Sequence, residues 1–454
     1  MTHIHGDSSV KINLPEDVKY IIDTITEAGY EAFAVGGCIR DKLLGREPDD
    51  YDITTSATPL EVKELFRRTV DTGIAHGTVT IMLKECGYEV TTYRIDGKYE
   101  DNRHPKDVSY TSNLADDLLR RDFTINAMAY NDEAGLVDLF EGQKDIQNHI
   151  IRCVGVPMER FGEDALRIMR AVRFSAQLGY EIEEETKKAM KELAPNLSSI
   201  SEERIQTELV KLVTSDHPEN IRIAYELGLT RIFLPEFDLL METPQNHPHH
   251  CYSVGEHTIK SMQEISNDRY LRLAMLFHDI GKPKVKSTDD KGIDHFYGHP
   301  AKSEKIAFDV LKRLKFDNDT INMVSKLALY HDYDIVENVL GVKKALNKLG
   351  EDIFVRTLEI KKADVLAQSD YMRTEKLTKL ENLWKIYHEV KDSGQCFNIK
   401  DLKINGRDLI TLGYKSGPNL GKELEKLLDR VLKTPSLNDK EVLIRMAAED
   451  LDEV

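Results

Sequence analysis

The sequence predicts an α+β protein in which a mixed sheet with helices occupies the N-terminal third and all-α domains follow. Two observations carry this. Runs rich in Val, Thr, Ile and Tyr, such as His76–Leu83 and Tyr88–Arg94, occur before about residue 150. Beyond that point the strand-like runs stop and apolar residues recur at helical spacing. A third observation sets the scale: 454 residues exceed what one hydrophobic core ordinarily organises, so about two to four domains are expected.

Composition narrows the class. Hydrophobic content of 41% with charged content of 31% is that of a soluble globular protein. No apolar run approaches the roughly 20 residues of a membrane span, and the opening Met1-Thr-His-Ile-His lacks a signal-peptide pattern, so a cytoplasmic protein without membrane contact is expected. Cys38, Cys86, Cys153, Cys251 and Cys396 are scattered without a Cys-x-x-Cys pair, which fits reduced thiols and argues against a disulfide framework or a thiolate zinc site. The net charge of −17 argues against nonspecific coating of nucleic acid but permits a local arginine cluster.

The elements follow in order. Leu14, Val18, Ile21, Ile22 and Ile25 recur at helical spacing, and Gly29 closes that helix. A short apolar strand then runs into Gly36-Gly37, a short helix carrying Arg40 and Asp41, and a second strand bearing Asp50 and Asp52. Residues two apart on a strand share a face, and paired carboxylates suit Mg²⁺, which takes oxygen ligands and keeps sites for phosphates. A Gly-Gly turn ahead of a helix brings backbone N–H groups close to an anion. Together these suggest metal-assisted chemistry on a nucleoside triphosphate. Thr58-Pro59 opens a helix with a cap and a proline at its first position. His76–Leu83 and Tyr88–Arg94 then form a hairpin through residues 84–87. Glu89 on that hairpin reads as an exposed strand residue more readily than as a third metal carboxylate.

Residues 96–112, with Arg103, read as a polar loop. Leu118–Ala129 is expected to be a helix with Arg120 and Arg121 at its head, either reaching phosphates or pairing with Asp116 and Asp117. Asn126 on its apolar face needs a partner, and a nucleotide sugar is one candidate. Val137–Gly142 returns to a strand and turn. In the helix expected over 161–174, Asp164, Arg167, Arg170 and Arg173 step by three along one face. Such a face is either salt-bridged surface or, because Asp accepts and Arg donates in a fixed fork, a reader of base edges. Ser201 begins a further helix with a capping-box pattern. In the middle of the chain His257, His278-Asp279, His299, His331 and Asp364 fall on helices or at their ends, and imidazole with carboxylate is the donor set of a divalent transition-metal site.

Val35-Gly-Gly-Cys-Ile-Arg-Asp-Lys-Leu-Leu-Gly-Arg46 with Asp50-Tyr-Asp52, Arg120-Arg-Asp-Phe-Thr-Ile-Asn-Ala127 and Glu163-Asp-Ala-Leu-Arg167 resemble successive motifs of class II tRNA nucleotidyltransferases, the CCA-adding enzymes and bacterial poly(A) polymerases. The middle segment resembles an inserted HD-type phosphohydrolase domain. The resemblance implies a polymerase-β-like nucleotidyltransferase head at 14–150, a helical nucleotide-selecting and RNA-binding neck at 151–240, an HD-type domain at 241–395 and a helical tail at 396–454 that contacts tRNA. It implies template-independent addition of C, C and A to the tRNA 3′ end from CTP and ATP, with loss of pyrophosphate; poly(A) addition and HD phosphohydrolase activity are the alternatives. Carried over by residue, Asp50 and Asp52 would hold two Mg²⁺ ions and Gly36, Gly37 and Arg40 would meet the triphosphate. Arg121 and Asn126 would meet phosphate and ribose, and Asp164 and Arg167 would select the base, with Arg170 and Arg173 nearby. His257, His278, Asp279 and Asp364 would form the HD metal set, extended by His299 and His331 to a second metal. Asp138-Leu-Phe-Glu-Gly142 departs from the Asp-Pro-aromatic-Gly-Gly of some relatives and leaves the position of that turn open.

Overall fold

The computed structural model describes residues 6–96, 108–246, 249 and 252–452. Arg103 and most of the polar loop expected around it lie outside the described residues. The chain packs as two compact units, residues 1–235 and 236–454.

The first unit is built on a seven-stranded mixed sheet. Its strands are β1 (Ala32–Val35), β2 (Asp52–Thr55), β3 (Thr69–Gly73), β4 (Thr78–Leu83), β5 (Cys86–Thr92), β8 (Met128–Asn131) and β9 (Gly135–Asp138). A separate ladder pairs β6 (Arg94–Asp96) with β7 (Val108–Tyr110). The order across the sheet is β3-β4-β5-β2-β1-β8-β9, and only β2 and β5 run parallel. The expected hairpin is present with a tighter turn: Leu83 pairs with Cys86, and Lys84 takes the left-handed conformation at φ 54° that a two-residue connection requires. Helix α1 (Glu16–Glu27) buries Val18, Ile21, Ile22 and Ile25. Helix α2 (Gly37–Leu43) follows the Gly-Gly turn, and α3 (Pro59–Leu65) is closed by a full capping box between Thr58 and Glu61.

The helix expected over Leu118–Ala129 does not form. Helix α4 (Leu114–Leu119) ends first, residues 124–126 make one 3₁₀ turn, and Met128 starts β8. All four β8 residues are buried between β1 and β9, and a short apolar run buried on both faces carries no period that separates strand from helix. Asn126 therefore sits on a turn at the end of a central strand. Asp50 lies in the loop before β2, which begins at Asp52.

After α5 (Gly142–Asn148) the unit continues in helices, with α6 (Pro157–Glu163) and α7 (Leu166–Leu178). The continuous helix expected over 161–174 is broken at Asp164, which is extended at φ −137°, ψ 103°. Its N–H closes α6 on the Arg160 carbonyl, and its carboxylate accepts the Leu166 N–H at 3.0 Å, so one residue ends one helix and starts the next. Helices α8 (Glu184–Leu193), α9 (Glu202–Val213), α10 (Ile221–Glu226) and α11 (Thr230–Phe233) complete the unit. Ser201 is the N-cap of α9 but its side chain makes no capping bond, so the expected capping box is absent there.

The second unit is helical. It runs from α12 (Pro235–Met241) through α13 (Val254–Gln263), α14 (Arg269–Phe277), α15 (Lys282–Val285), α16 (His299–Arg313) and α17 (Asn318–Tyr330). Helices α18 (Val339–Leu349), α19 (Glu351–Ala367) and α20 (Arg373–Asp392) share one apolar cluster centred on Phe354, Leu383 and Tyr387. Another cluster, around Leu409, Leu427 and Leu443, joins α21 (Gly406–Leu412), α22 (Pro418–Lys433) and α23 (Lys440–Asp452).

Candidate functional site

The head site grows from the β1–α2 turn and the ends of β2 and β5. Gly36 stands at φ 84°, ψ −133°, a conformation reserved for glycine, and an added Cβ would lie 3.1 Å from Nη1 of Arg121. Asp50 and Asp52 border a cavity of about 530 Å³, lined also by Tyr51, Tyr88 and Glu89. Because Ile53 pairs with Val90 in the parallel β2–β5 ladder, Glu89 stands beside Asp52. Burial raises the Asp52 carboxyl above its ordinary range; Arg121 opposes this, while Asp50 and Glu89 add repulsion. A group of carboxylates with this shortage of positive charge suits a divalent cation bound through oxygen. Glu89, read from the sequence as an exposed strand residue, is exposed and is also part of this carboxylate group.

Behind the carboxylates the motif arginines are held by buried acids. Asp117, fully buried, takes Arg120 at 2.7 Å and Arg121 at 3.3 Å and accepts the Thr54 hydroxyl at 3.0 Å. The pairing expected for these arginines thus occurs, through Asp117, and Nε of Arg121 stays buried without a hydrogen-bond partner. Arg40 binds Asp41 through Nε and Nη2 and donates from Nη1 to Oδ1 of Asn126 at 2.7 Å. Asn126 donates at 3.1 Å to Asp122, whose other oxygen takes Arg170 at 2.7 Å. Asp122, inside the Arg-Arg-Asp-Phe motif, carries no signal of this role in the sequence. It links the α2 and β8 side of the head to α7. Burial would raise its carboxyl, but Arg170, Asn126 and Arg167 outweigh that and hold it at about 2.

The residues expected along 161–174 separate into two groups. Arg170 goes to Asp122, and Arg173 pairs with buried Glu208 at 2.6 Å and lies over the Phe174 ring at 3.7 Å. Asp164 and Arg167 sit at the α6–α7 break. Arg167 donates to Glu163 at 2.7 Å and to the carbonyls of Arg160 and Arg120 at 3.0 and 2.8 Å. Asp164 is forked by Arg204 of α9.

In the second unit the six residues singled out in the sequence converge. Among the described residues, His257, His278, Asp279 and Asp364 offer ligand atoms within 4.8 Å of one another, as do Asp279, His299 and His331. Asp279 belongs to both groups. Each histidine turns Nδ1 to a backbone carbonyl: His257 to Ala367 at 3.4 Å, His278 to Met275 at 2.7 Å, His299 to Phe296 at 2.9 Å and His331 to Ala328 at 2.7 Å. All four Nε2 atoms are thereby left for the centre, the arrangement by which outer partners orient metal-binding imidazoles. His257 Nε2 is 2.8 Å from Asp364, His278 Nε2 is 3.2 Å from Asp279 and His299 Nε2 is 3.3 Å from Asp279. Donors about 2.0–2.2 Å from a transition metal lie roughly 3 Å apart, so these separations fit. Nε2 of His278 is fully buried and faces Oδ2 of Asp279, which also takes Lys282 at 2.7 Å.

Charge balance at this cluster points the same way. Burial pushes the His278 imidazole down, but Asp279 and Asp364 outweigh it and raise it to about 10. Lys282, one turn beyond Asp279, reaches its carboxylate at 2.7 Å and is steadied by Gln245 at 3.0 Å.

Comparison with known proteins places these sites in context. The Poly A polymerase head domain model matches residues 32–152, and the tRNA nucleotidyltransferase domain 2 model matches residues 298–447. A model for an RNA and SrmB-binding site of polymerase A matches residues 179–241. The chain is 33% identical over 452 residues to the CCA-adding enzyme of Ligilactobacillus salivarius, covering 97% of this chain and 98% of that protein. It is 36% identical over 441 residues to the CCA-adding enzyme of Limosilactobacillus reuteri, covering 96% of each. Among solved structures it resembles the Bacillus stearothermophilus CCA-adding enzyme in complex with CTP, with 27% identity, a TM-score of 0.71 and 96% of each chain covered.

Proposed function

The chain belongs to the family of CCA-adding enzymes, and from that premise we propose that it adds C, C and A to the 3′ end of tRNA from CTP and ATP, releasing pyrophosphate. The observation that carries this reading is the carboxylate group at Asp50, Asp52 and Glu89, with Arg121 as the opposing charge, in a chain that matches a CCA-adding enzyme over 97% of its length. Mg²⁺, held there by Asp50 and Asp52, would supply activation of the RNA 3′-hydroxyl and charge neutralisation on the triphosphate. The protein's own groups do the rest. The Gly36-Gly37 turn lets the triphosphate approach the start of α2. Arg121, with its orphan Nε, supplies a fixed positive charge, and Arg40 with Asn126 fixes the nucleotide's polar edge. Asp164 and Arg167 select the base by offering one acceptor and one donor fork. Incubation with tRNA lacking its 3′ end, Mg²⁺ and labelled CTP and ATP should give incorporation that Asp52→Ala abolishes; retained activity in that variant overturns the assignment.

The His/Asp cluster supports a second site in the same protein. Four imidazoles with anchored Nδ1 atoms and one carboxylate common to two ligand groups favour a two-metal phosphohydrolase centre of the HD type. A transition metal there would polarise a phosphoester and activate water. Metal analysis of the purified protein is expected to find a transition metal that His278→Ala loses, together with phosphoester hydrolysis, while nucleotide addition continues. Protein that takes up no metal and hydrolyses no phosphoester would make the cluster structural.

A further inference from the structure

Asp164 is held by a residue of the helix that Ser201 opens. Arg204, in the first turn of α9, donates from Nη1 to Oδ1 at 3.2 Å and from Nη2 to Oδ2 at 2.7 Å. The Leu166 N–H also donates to Oδ1, at 3.0 Å. A carboxylate oxygen accepts about two hydrogen bonds. Oδ1 is therefore filled, whereas Oδ2 takes one N–H among the described residues and has capacity for one more.

We propose that Arg204 is a positioning residue for base selection, fixing the Asp164 carboxylate so that Oδ2 alone is offered to an incoming base. This rests on the reading of Asp164 and Arg167 as the base-selecting pair. Cytosine and adenine both present an exocyclic amino group, a donor that one ionised oxygen accepts; uracil and guanine present a carbonyl at the corresponding place, which it repels. A carboxylate free to rotate would offer either oxygen in several orientations and discriminate less. Three features fit such a frame. The fork is a bidentate Arg–carboxylate pair, the geometry that adds orientation as well as energy. Both side chains keep partial exposure, 27% for Arg204 and 18% for Asp164, so the site can meet a ligand. The α7–α9 pair has its own lock in Arg173–Glu208 and buries Ile205, Leu209, Leu212 and Val213, so the fork is not what holds the helices together.

The test is steady-state kcat/KM for CTP against UTP, and for ATP against GTP, on tRNA ends awaiting each base. Arg204→Gln is expected to lower both preferences by about tenfold, the scale of a charge-assisted hydrogen bond, through KM for the correct nucleotide with kcat little changed. Arg204→Lys keeps the charge without the fork and should also lose preference; it carries the test if the glutamine variant does not fold. Asp164→Ala separates the two levels. If it relaxes selection while both Arg204 variants keep wild-type ratios, the role of Arg204 is refuted and the base-reading pair stands. If Asp164→Ala also keeps wild-type ratios, the base-reading pair fails and the role of Arg204 falls with it.

Discussion

Replacing Asp122 by Asn removes the charge that joins Arg40 and Asn126 of the head to Arg170 of the neck. Folding holds the Asp122 carboxyl at about 2 against an ordinary 3.8. At about 1.36 kcal/mol per pH unit, that gap is worth about 2.5 kcal/mol of stability at neutral pH. Removing one partner of a fully buried ion pair costs about 3–5 kcal/mol. Arg170 keeps 35% of its side-chain exposure and can recover water, which favours the lower figure. Amide hydrogen exchange across α7 reads the loss directly: protection should fall by roughly 60-fold in Asp122→Asn, the equivalent of about 2.5 kcal/mol. The sign of the pH dependence is fixed. A carboxylate with a lowered folded value contributes stability above its unfolded value, lost as pH falls through the folded one, so the difference between the two proteins should shrink between about pH 4 and pH 2. Nucleotide KM should rise as Asn126 loses its anchor. Unchanged α7 protection at pH 7, or a difference that grows on acidification, refutes the reasoning.

Two further outcomes follow from particular contacts. Burial and the neighbouring Asp450 raise the Glu423 carboxyl, and Oε1 of Glu423 and Oδ2 of Asp450 are buried without hydrogen-bond partners. A raised carboxyl gives stability that is present below its unfolded value and lost as pH rises through the folded one. Glu423→Gln should therefore stabilise the tail relative to the parent at pH 8, with the advantage gone below about pH 4.5, measured by exchange across α22. Gly36→Ala forces a side chain into glycine-only backbone space and against Arg121, costing about 1–3 kcal/mol and at least tenfold in kcat/KM for nucleotide; wild-type kinetics would show that this turn does not shape the triphosphate site.

How much was legible in the sequence depended on whether the signal was local. The Gly36-Gly37 turn, the Thr58 cap and the histidines at helix ends were readable because cap chemistry and turn residues act over a few positions. The β8 strand was mistaken for a helix because Met128–Asn131 is buried on both faces and shows no alternation. The break at Asp164 is hidden because Arg167, Arg170 and Arg173 continue its step of three, and only its extended backbone and its contact with Leu166 show that the helix restarts. Glu89 was discounted as an exposed residue, since its proximity to Asp52 comes from a parallel strand pairing across 37 positions. Asp122 and Arg204 carry no local signal of their ion-pair partners Arg170 and Asp164, which lie 48 and 40 residues away.

The most direct measurement is the sequence of 3′ ends made from tRNA lacking its terminal three nucleotides, with Mg²⁺ and all four nucleoside triphosphates present. The account predicts ends completed as C, C and A and extension that stops there, with none from Asp52→Ala. Long adenosine tails, ends that carry U or G as often as C or A, or no extension at all would contradict it.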